Sequence, residues 1–290
     1  MNNNLISIPT AVYNPWFEWQ LDLFWHNHKK VYGRDSYRKA HAVIIKRNKP
    51  NENKCEVMNW KTDIPHTLCD SHFDFDPSLS NSNYIPINIQ IGLKQIIHKF
   101  ADDDLLEILD CDLFHLKKHP NFNLKFNEVY ACDLYESWHL FSLGKHKIVI
   151  EKYFKNEGKY YNGGFVPIVI RTYTLKKIID DWIQIHKDIV DNFPEPKFGD
   201  YRWWAGMYSF QAACERNKIK MFSNDYCYFP NINQIIENHY IAHYSCDPKF
   251  NKKKYPDIDY STFLDNTFYS SVLDWKQKSL ASRSFYKMFL

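Results

Sequence analysis

The sequence lacks long apolar runs and any strong excess of charge. No stretch approaches the roughly 18 apolar residues of a membrane span, and the N-terminus, Met1-Asn2-Asn3-Asn4, has neither the basic flank nor the apolar core of a signal peptide. The net charge is only +3, and charges of both signs are interspersed, which argues against the concentrated basic surface of a nucleic-acid-binding protein. We therefore expect a cytoplasmic globular protein with no membrane span and no nucleic-acid partner.

The sequence also lacks closely spaced cysteine pairs, and it contains few glycines. The seven cysteines are an odd number and show no CxxC spacing, which favours free thiols in a reducing compartment over a disulfide framework or a zinc site. Only eight glycines occur in the chain, so the pair Gly163-Gly164 marks a local feature. It is either a simple turn or a place where the backbone comes close to a ligand.

The chain does contain enough apolar and aromatic residues for a full core. Of its 290 residues, 44% are hydrophobic and 17% are aromatic, and a chain of this size folds as one large domain or as one domain with an appendage. Aromatic residues in this number line cores by default, but they also suit stacking on sugar rings and on a nucleobase. We expect one domain over residues 1–256 and a helical extension over residues 257–290 that packs on it.

Asp110-Cys111-Asp112 is the most informative motif. It follows the apolar run Leu105–Leu109, which predicts a buried strand. Two carboxylates at the end of a central strand can hold a divalent metal against phosphate oxygens, and ligands of open α/β sheets gather at this edge. The alternative is a solvated turn, because Asp-x-Asp also occurs by chance. The nearby Asp102-Asp103-Asp104 cluster is predicted to be such a turn or a cap.

Strand-like and helix-like segments alternate around this motif, which predicts an α/β fold with a sheet covered by helices. The predicted strands are residues 40–46, 55–60, 105–109, 129–133, 147–151 and 165–170, followed by short elements at 220–222 and 226–229. The predicted helices are residues 16–25, 87–100, 175–190 and 198–214, and residues 70–84 are predicted to form a loop.

Five separated segments occur in an order that matches a known family. They are Trp19-Gln20, Leu109-Asp110-Cys111-Asp112-Leu113, Asn162-Gly163-Gly164, the tryptophan-containing segment Tyr201–Glu215, and Ile241-Ala242-His243-Tyr244. In this order the chain resembles GT-A-fold glycosyltransferases, most of all the plant hydroxyproline O-arabinosyltransferase and peptidyl-serine galactosyltransferase group, and also glycosyltransferases of large algal viruses. The resemblance runs from about Pro15 to Asp247 and implies a GT-A-like (Rossmann-like) mixed sheet flanked by helices.

Two departures from the family accompany this resemblance. The plant enzymes carry a membrane anchor that has no counterpart in this sequence. In addition, Gly206 stands before Met207-Tyr208 at a position where the family has an acidic residue.

The resemblance implies a metal-dependent transfer of a sugar from a UDP-sugar to a hydroxyl of a glycan or glycoprotein. The ion, Mn²⁺ or Mg²⁺, would be held by Asp112, by Asp110 directly or through water, and by His243. It would stabilise the charge that develops on the leaving diphosphate, and an imidazole ligand favours Mn²⁺. The alternative for His243 is a structural histidine in a short strand.

Further residues are assigned to the donor by the same resemblance. Trp19 and Gln20 are expected to border the nucleotide, although a core tryptophan is the alternative for Trp19. Asn162 is expected to hydrogen-bond a sugar hydroxyl, with Gly163-Gly164 allowing the backbone to come close to the donor or acceptor sugar.

Inverting transfer needs a general base for the acceptor hydroxyl, usually an Asp or Glu. Asp200, at the start of an aromatic helix, is our candidate, and the alternative is that it only caps this helix. Retaining transfer needs no such base, and the sequence leaves the stereochemistry open. It also leaves open whether the donor sugar is xylose, galactose, arabinose or glucose. Other acidic residues in loops without a leading strand are expected to be decoys: Asp74, Asp76, Asp257 and Asp259.

Two other function classes stay open at this stage. One is a non-catalytic carbohydrate-binding or assembly protein, in which aromatic residues bind the sugar and the Asp pair is only a turn. The other is a metal-dependent phosphohydrolase, for which denser His and Asp clusters are expected than one Asp pair and one distant histidine.

Overall fold

The computed structural model describes residues 4–13, 15–33, 40–46, 63–75, 87–132, 152–153, 165–192, 201–224, 227–228 and 239–243. The strands in this part of the chain are β1 (Leu5–Val12), β2 (Ala42–Ile45), β3 (His66–Cys69), β4 (Leu105–Asp110), β5 (Leu113–His115), β6 (Glu128–Cys132), β7 (Phe165–Arg171), β8 (Lys220–Asn224), β9 (Cys227–Tyr228) and β10 (Ile241–His243). The helices are α1 (Pro15–Tyr32), α2 (His72–Phe75), α3 (Ile87–Ile96), α4 (Thr172–Asn192) and α5 (Tyr201–Arg216), and a 3₁₀ turn, Ile97–Lys99, extends α3.

Seven strands form one mixed sheet in the order β3-β2-β1-β4-β7-β6-β8. The first four of these strands run parallel, β7 is antiparallel to both of its neighbours, and β6 pairs parallel with β8. The remaining strands form a small sheet in the order β5-β10-β9. Because β4 is central in the main sheet and β5 belongs to the small one, the turn after β4 lies where the two sheets meet.

The two faces of the main sheet bury different sets of side chains. Successive residues of a strand point to opposite faces, so Leu106 and Ile108 of β4 pack with α3, α4 and α5, whereas Leu105 and Leu109 pack with α1 and the small sheet. We call the face covered by α3, α4 and α5 the first face, and the face covered by α1 and the small sheet the second face. The strand is buried along its length up to Leu109, and this double coverage is why its sequence is almost continuously apolar.

Gly92 shows how closely α3 packs on the first face. A Cβ at this position would lie 2.5 Å from Ile45 Cδ1 and 2.5 Å from Val43 Cγ1, both on β2. These distances are far below van der Waals contact, so the glycine is required by the close approach of the helix to the strand.

Most of the predicted elements are confirmed within the described residues. The mixed α/β sheet flanked by helices is present, and the predicted helices at 16–25, 87–100, 175–190 and 198–214 correspond to α1, α3 with its 3₁₀ turn, α4 and α5. The Asp102-Asp103-Asp104 cluster forms a turn in which Asp104 accepts a hydrogen bond from the backbone of Ala101 at 2.9 Å. Among the described residues, no helix is both long and apolar enough to cross a membrane.

No strand was predicted before the helix at 16–25, but β1 precedes α1. β1 lies between β2 and β4 in the sheet. Its sequence, LISIPTAV, contains Pro9, and a proline normally argues against a central strand because it cannot donate a ladder hydrogen bond. The structure places Pro9 between the Ser7–Ala40 bridge and the pairing of Thr10 with Val43, where the ladder with β2 is interrupted.

Smaller differences concern short elements. Residues 70–84 were predicted as a loop, but His72–Phe75 form the single turn α2. The strands β3 and β5 were not predicted because each is too short to show a period. The predicted strands at 55–60 and 147–151 lie outside the described residues, as does the C-terminal extension 257–290.

Candidate active site

The fold brings Asp110 and Asp112 to the carboxyl edge of the main sheet. Asp110 is the last residue of β4 and pairs in register with Thr10 near the carboxyl end of β1. Cys111 and Asp112 then form a turn into β5. The Asp110 side chain is 35% exposed and that of Asp112 is 10% exposed, so the pair lies half inside the protein with one side open to solvent.

His243 joins the two aspartates through the small sheet. β10 runs antiparallel to β5, and this pairing places His243 opposite Leu113, the residue that follows Asp112. The imidazole is buried, with only 2% of the side chain exposed. Its Nε2 lies 3.3 Å from Oδ1 of Asp112 and 3.9 Å from Oδ2 of Asp110. Residues far apart in the sequence therefore form one group, which we call the active-site cluster: Asp110, Asp112 and His243.

The active-site cluster has the geometry of a divalent metal site. One potential ligand atom from each of the three residues lies within 4.8 Å of the others. An octahedral ion with bonds of about 2.1 Å has neighbouring ligands about 3.0 Å apart and opposite ligands about 4.2 Å apart. The separations of 3.3 and 3.9 Å from His243 Nε2 fall close to this range. Two carboxylates and one imidazole are also a donor set that suits Mn²⁺.

Gln20 supports the turn between the two aspartates. It lies on α1 with its side chain buried, and Cys111 Sγ donates a weak hydrogen bond to its Oε1 at 3.9 Å. Cys111 thus points into the protein, while the active-site cluster faces the edge of the sheet. That Gln20 borders a nucleotide stays a prediction. Trp19 lies on α1 beside it, but its side chain is outside the described part of the structure.

Several predicted site residues are not among those that the structure describes. They are Asn162, Gly163, Gly164 and Asp200, and their assigned roles stay predictions. The same holds for Asp76, Asp257 and Asp259, and for the side chain of Asp74, which were expected to be decoys. Gly206 lies within α5, where its carbonyl accepts a hydrogen bond from Trp182 Nε1 at 2.8 Å, so this position contributes to the packing of α5 on α4.

The structure adds Thr10 and Tyr13 to the candidates at this edge. Thr10 is buried next to Asp110, and its Oγ1 donates to the Leu109 carbonyl at 3.1 Å. Tyr13 follows β1 directly, and its backbone N–H donates to the Ile45 carbonyl at 2.6 Å. Sequence reasoning missed both because it missed β1. The signal that could have identified β1 is the apolar segment Leu5–Val12, which directly precedes the predicted helix.

All cysteines in the described part of the chain are buried and free: Cys69, Cys111, Cys132, Cys214 and Cys227. For these five, the expectation of free thiols is confirmed. Burial raises the pKa of the Cys69 thiol to about 11, so this thiol stays protonated and unreactive at neutral pH.

Comparison with protein families gives a match over most of the chain. The model of the hydroxyproline O-arabinosyltransferase family N-terminal domain matches residues 6–223. Among curated proteins, none matches the chain in sequence.

Solved structures of glycosyltransferases share the fold. The apo structure of the bifunctional glycosyltransferase WbbM superposes with a TM-score of 0.57 at 11% identity, covering 99% of this chain and 52% of WbbM. The chain thus spans about half the length of that protein. The galactosyltransferase LgtC, in complex with donor and acceptor sugar analogues, gives a TM-score of 0.50 at 13% identity, covering 93% of this chain and 96% of LgtC. An active-site mutant of LgtC gives 0.52 with the same identity and coverage. These likenesses show that the sheet and its helices form a GT-A fold.

Proposed function

The chain belongs to the hydroxyproline O-arabinosyltransferase family, and from this premise we propose that it is a metal-dependent glycosyltransferase. It transfers one sugar from a UDP-sugar to a hydroxyl of a glycan or glycoprotein. The observation that carries the proposal is the active-site cluster, in which His243 Nε2 lies 3.3 Å from Oδ1 of Asp112 at the carboxyl edge of the sheet. This edge is where α/β sheets bind nucleotides.

The residues of the active-site cluster have distinct tasks. A divalent ion held there supplies positive charge for the diphosphate that leaves when the glycosidic bond to the donor breaks. Asp112 and His243 are nearly buried, so they would hold the ion from the protein side. Asp110 is the most exposed of the three and would hold it from the open side, where a donor can approach.

The acceptor side of the reaction rests on residues outside the described part of the structure. We assign Asp200 as the general base of an inverting transfer, which takes the proton of the attacking hydroxyl. Asn162 and Gly163-Gly164 are assigned to the sugar of the donor, and Trp19 and Gln20 to the nucleotide. The family resemblance and the position of Gln20 beside the Asp110–Asp112 turn support these assignments.

Thermal unfolding in the presence of UDP and Mn²⁺ tests the first half of the proposal. A ligand that binds only the folded chain stabilises it by about 2.7 kcal/mol at a hundredfold excess over its Kd. We expect UDP with Mn²⁺ to raise the Tm, and UDP with EDTA to have little effect. The Asp112→Asn variant is expected to lose the shift, whereas Asp103→Asn, at the opposite end of β4, is expected to keep it.

A donor screen tests the second half. UDP- and GDP-sugars are incubated with the chain and Mn²⁺, and the release of the nucleotide is measured. We expect hydrolysis or transfer with at least one UDP-sugar and its loss in Asp112→Asn. A Tm shift by free sugars without any nucleotide effect would instead identify a carbohydrate-binding protein. Release of inorganic phosphate from simple phosphate esters would identify a phosphohydrolase.

A further inference from the structure

A second group of metal-ligating side chains lies on the second face of the sheet, behind the active-site cluster. It consists of Glu107 on β4, His115 at the end of β5 and His119 shortly after it. One potential ligand atom from each of these residues lies within 4.8 Å of the others. His119 Nε2 is 3.0 Å from Glu107 Oε2, and their side chains are only 8% and 0% exposed. We call this group the buried cluster.

His115 shows that the buried cluster is prepared for a ligand. Its backbone is clamped by Asn27 of α1, because the His115 N–H donates to Asn27 Oδ1 at 2.7 Å and Asn27 Nδ2 donates to the His115 carbonyl at 3.0 Å. The ring is fully buried, and neither ring nitrogen has a hydrogen-bond partner among the residues that the structure describes. A buried polar group without a partner costs about 1–3 kcal/mol, and a bound ion would give one of these ring nitrogens a partner.

The Glu107 carboxylate is held in place from two sides. His119 Nε2 contacts its Oε2 at 3.0 Å. Ser7 Oγ donates to Glu107 Oε2 at 2.8 Å, which orients the carboxylate from the outer side.

Helix α1 closes the buried cluster against solvent. The ring of His28 lies 4.9 Å from that of His115, and the ring of Tyr32 lies 5.2 Å from that of His119, measured between centroids. The hydroxyl oxygen of Tyr32 also accepts a hydrogen bond from the His119 backbone N–H at 3.2 Å. An ion held here is therefore enclosed by protein, unlike one in the active-site cluster.

We propose that Glu107, His115 and His119 bind a zinc ion that is separate from the ion of the active-site cluster. Zinc forms bonds of about 2.0–2.1 Å with imidazole nitrogen and carboxylate oxygen. In a tetrahedral site such ligands are about 3.3 Å apart, which is close to the 3.0 Å between His119 Nε2 and Glu107 Oε2. Two imidazoles and one carboxylate form a donor set that zinc accepts, and the softer nitrogen ligands disfavour Mg²⁺ and Ca²⁺.

The position of the buried cluster gives the zinc a structural role. Glu107 lies three positions before Asp110 on β4, and His115 lies three positions after Asp112. An ion that links Glu107 to His115 and His119 therefore ties β4 to β5 on both sides of the turn that carries the aspartates. The zinc is a fixed part of the fold that positions this turn, and it takes no part in the transfer itself.

Metal analysis of the purified full chain tests this proposal. After dialysis against metal-free buffer, we expect about one zinc per chain by mass spectrometry, and we expect the Asp112→Asn variant to retain it. The variants His115→Gln and His119→Gln are expected to lose at least nine-tenths of the zinc. The matched control is His98→Gln, which changes an exposed histidine of the 3₁₀ turn and is expected to keep the full amount.

A cobalt titration of the wild-type chain makes the test independent of whether the variants fold. After removal of zinc with a chelator, Co²⁺ in the buried cluster is expected to give the visible absorption of a four-coordinate site, saturating at one equivalent. Zinc is expected to abolish this absorption, and Mn²⁺ is not. The proposal is overturned if wild-type protein binds neither zinc nor cobalt tightly, or if the bound zinc is lost in Asp112→Asn and kept in His115→Gln. Neither result depends on which sugar donor the chain uses.

Discussion

The active-site cluster and the buried cluster are built from the same short stretch of chain, yet they suit different metals. Each combines carboxylate with imidazole, and each takes ligands from β4 and from the segment that follows it. The active-site cluster is richer in oxygen and open on one side, whereas the buried cluster is richer in nitrogen and closed by α1. On our two proposals, burial and ligand type together distinguish an ion that contacts the substrate from an ion that only stabilises the fold.

The difference arises from the alternation of side chains along β4. Glu107 belongs to the set of residues that points to the second face, together with Leu105 and Leu109. Asp110 is at the end of the strand, where the sheet no longer covers it. A shift of one residue in the pairing of β4 would exchange these environments, so the register of β4 with β1 fixes both clusters at once.

The strongest test of the comparison removes a carboxylate from the active-site cluster. In Asp112→Asn we expect donor hydrolysis with Mn²⁺ to fall on the order of a hundred- to a thousandfold, because the ion loses a nearly buried anionic ligand. The free energy of unfolding is expected to change by less than about 1 kcal/mol, since Asp110 is relieved of a neighbouring like charge. Rates are measured with the best donor of the screen, and Asp103→Asn is the control. Unchanged activity would remove the active-site cluster from the mechanism.

The converse change removes the carboxylate of the buried cluster. In Glu107→Gln we expect the free energy of unfolding to fall by roughly 3 kcal/mol, because a buried His119 loses its charged partner. Denaturant unfolding measures this loss. Glu128→Gln is the control, since Glu128 on β6 is part-exposed and its Oε2 accepts a hydrogen bond from the Lys125 N–H that an amide can also accept. If both variants lose the same stability, Glu107 has no special structural role.

A smaller effect is expected when the pH is lowered, because acid destabilises the fold at His115 of the buried cluster. In metal-free protein, the pKa of His115 is lowered by burial, so below pH 6.5 the unfolded state binds a proton that the folded state does not. The contribution of His115 to the free energy of unfolding is therefore complete above pH 6.5. Below this pH the free energy of unfolding decreases by about 1.4 kcal/mol for each unit by which the pH is lowered, or by roughly 2 kcal/mol from pH 6.5 to pH 5.

The control for this pH dependence is the His115→Gln variant, which is expected to show a shallower slope than the wild type over the same range. His186, whose pKa burial lowers to about 3, contributes an equal slope to both proteins and therefore cancels. Denaturant unfolding at a series of pH values checks the difference. Identical slopes would show that His115 is not held neutral by the fold.

The smallest expected effect concerns the imidazole of the active-site cluster. In His243→Gln we expect donor hydrolysis with Mn²⁺ to fall about tenfold, since two carboxylates still hold the ion. The ratio of the rates with Mn²⁺ and Mg²⁺ is expected to fall as well, because the lost nitrogen ligand favours Mn²⁺. His98→Gln serves as the control. A ratio equal to that of the wild type would mean that His243 does not contact the ion.

The sequence allowed the active-site cluster to be predicted because its strongest signal is local. The apolar run Leu105–Leu109 directly precedes Asp110, and a strand with two buried faces is the easiest element to find from periodicity. His243 was predicted only through the family resemblance. Its neighbourhood with Asp112 depends on the pairing of β10 with β5, and each of these strands has only three residues, which is too few for a periodic signal.

The buried cluster was not predicted from the sequence, and the reason is again physical. Glu107 is a single charged residue within an apolar strand, and the absence of a CxxC spacing argued against a zinc site. The signal that was present is the spacing of His115 and His119, which is common for two metal ligands on one local segment. Strand β1 was not predicted, and for this reason Ser7, which orients Glu107, was not considered either.

Strand β10, which pairs with β5, comes late in the sequence, and this affects the order in which the protein folds during its synthesis. All strands of the seven-stranded sheet lie at or before Asn224 in the sequence, whereas His243 leaves the ribosome later. Chains fold from the N-terminus as they are made, so a nascent chain can already carry a folded sheet and both aspartates while it lacks the imidazole. A chain that ends before β10 therefore has an incomplete ligand set, because His243 of the active-site cluster is missing.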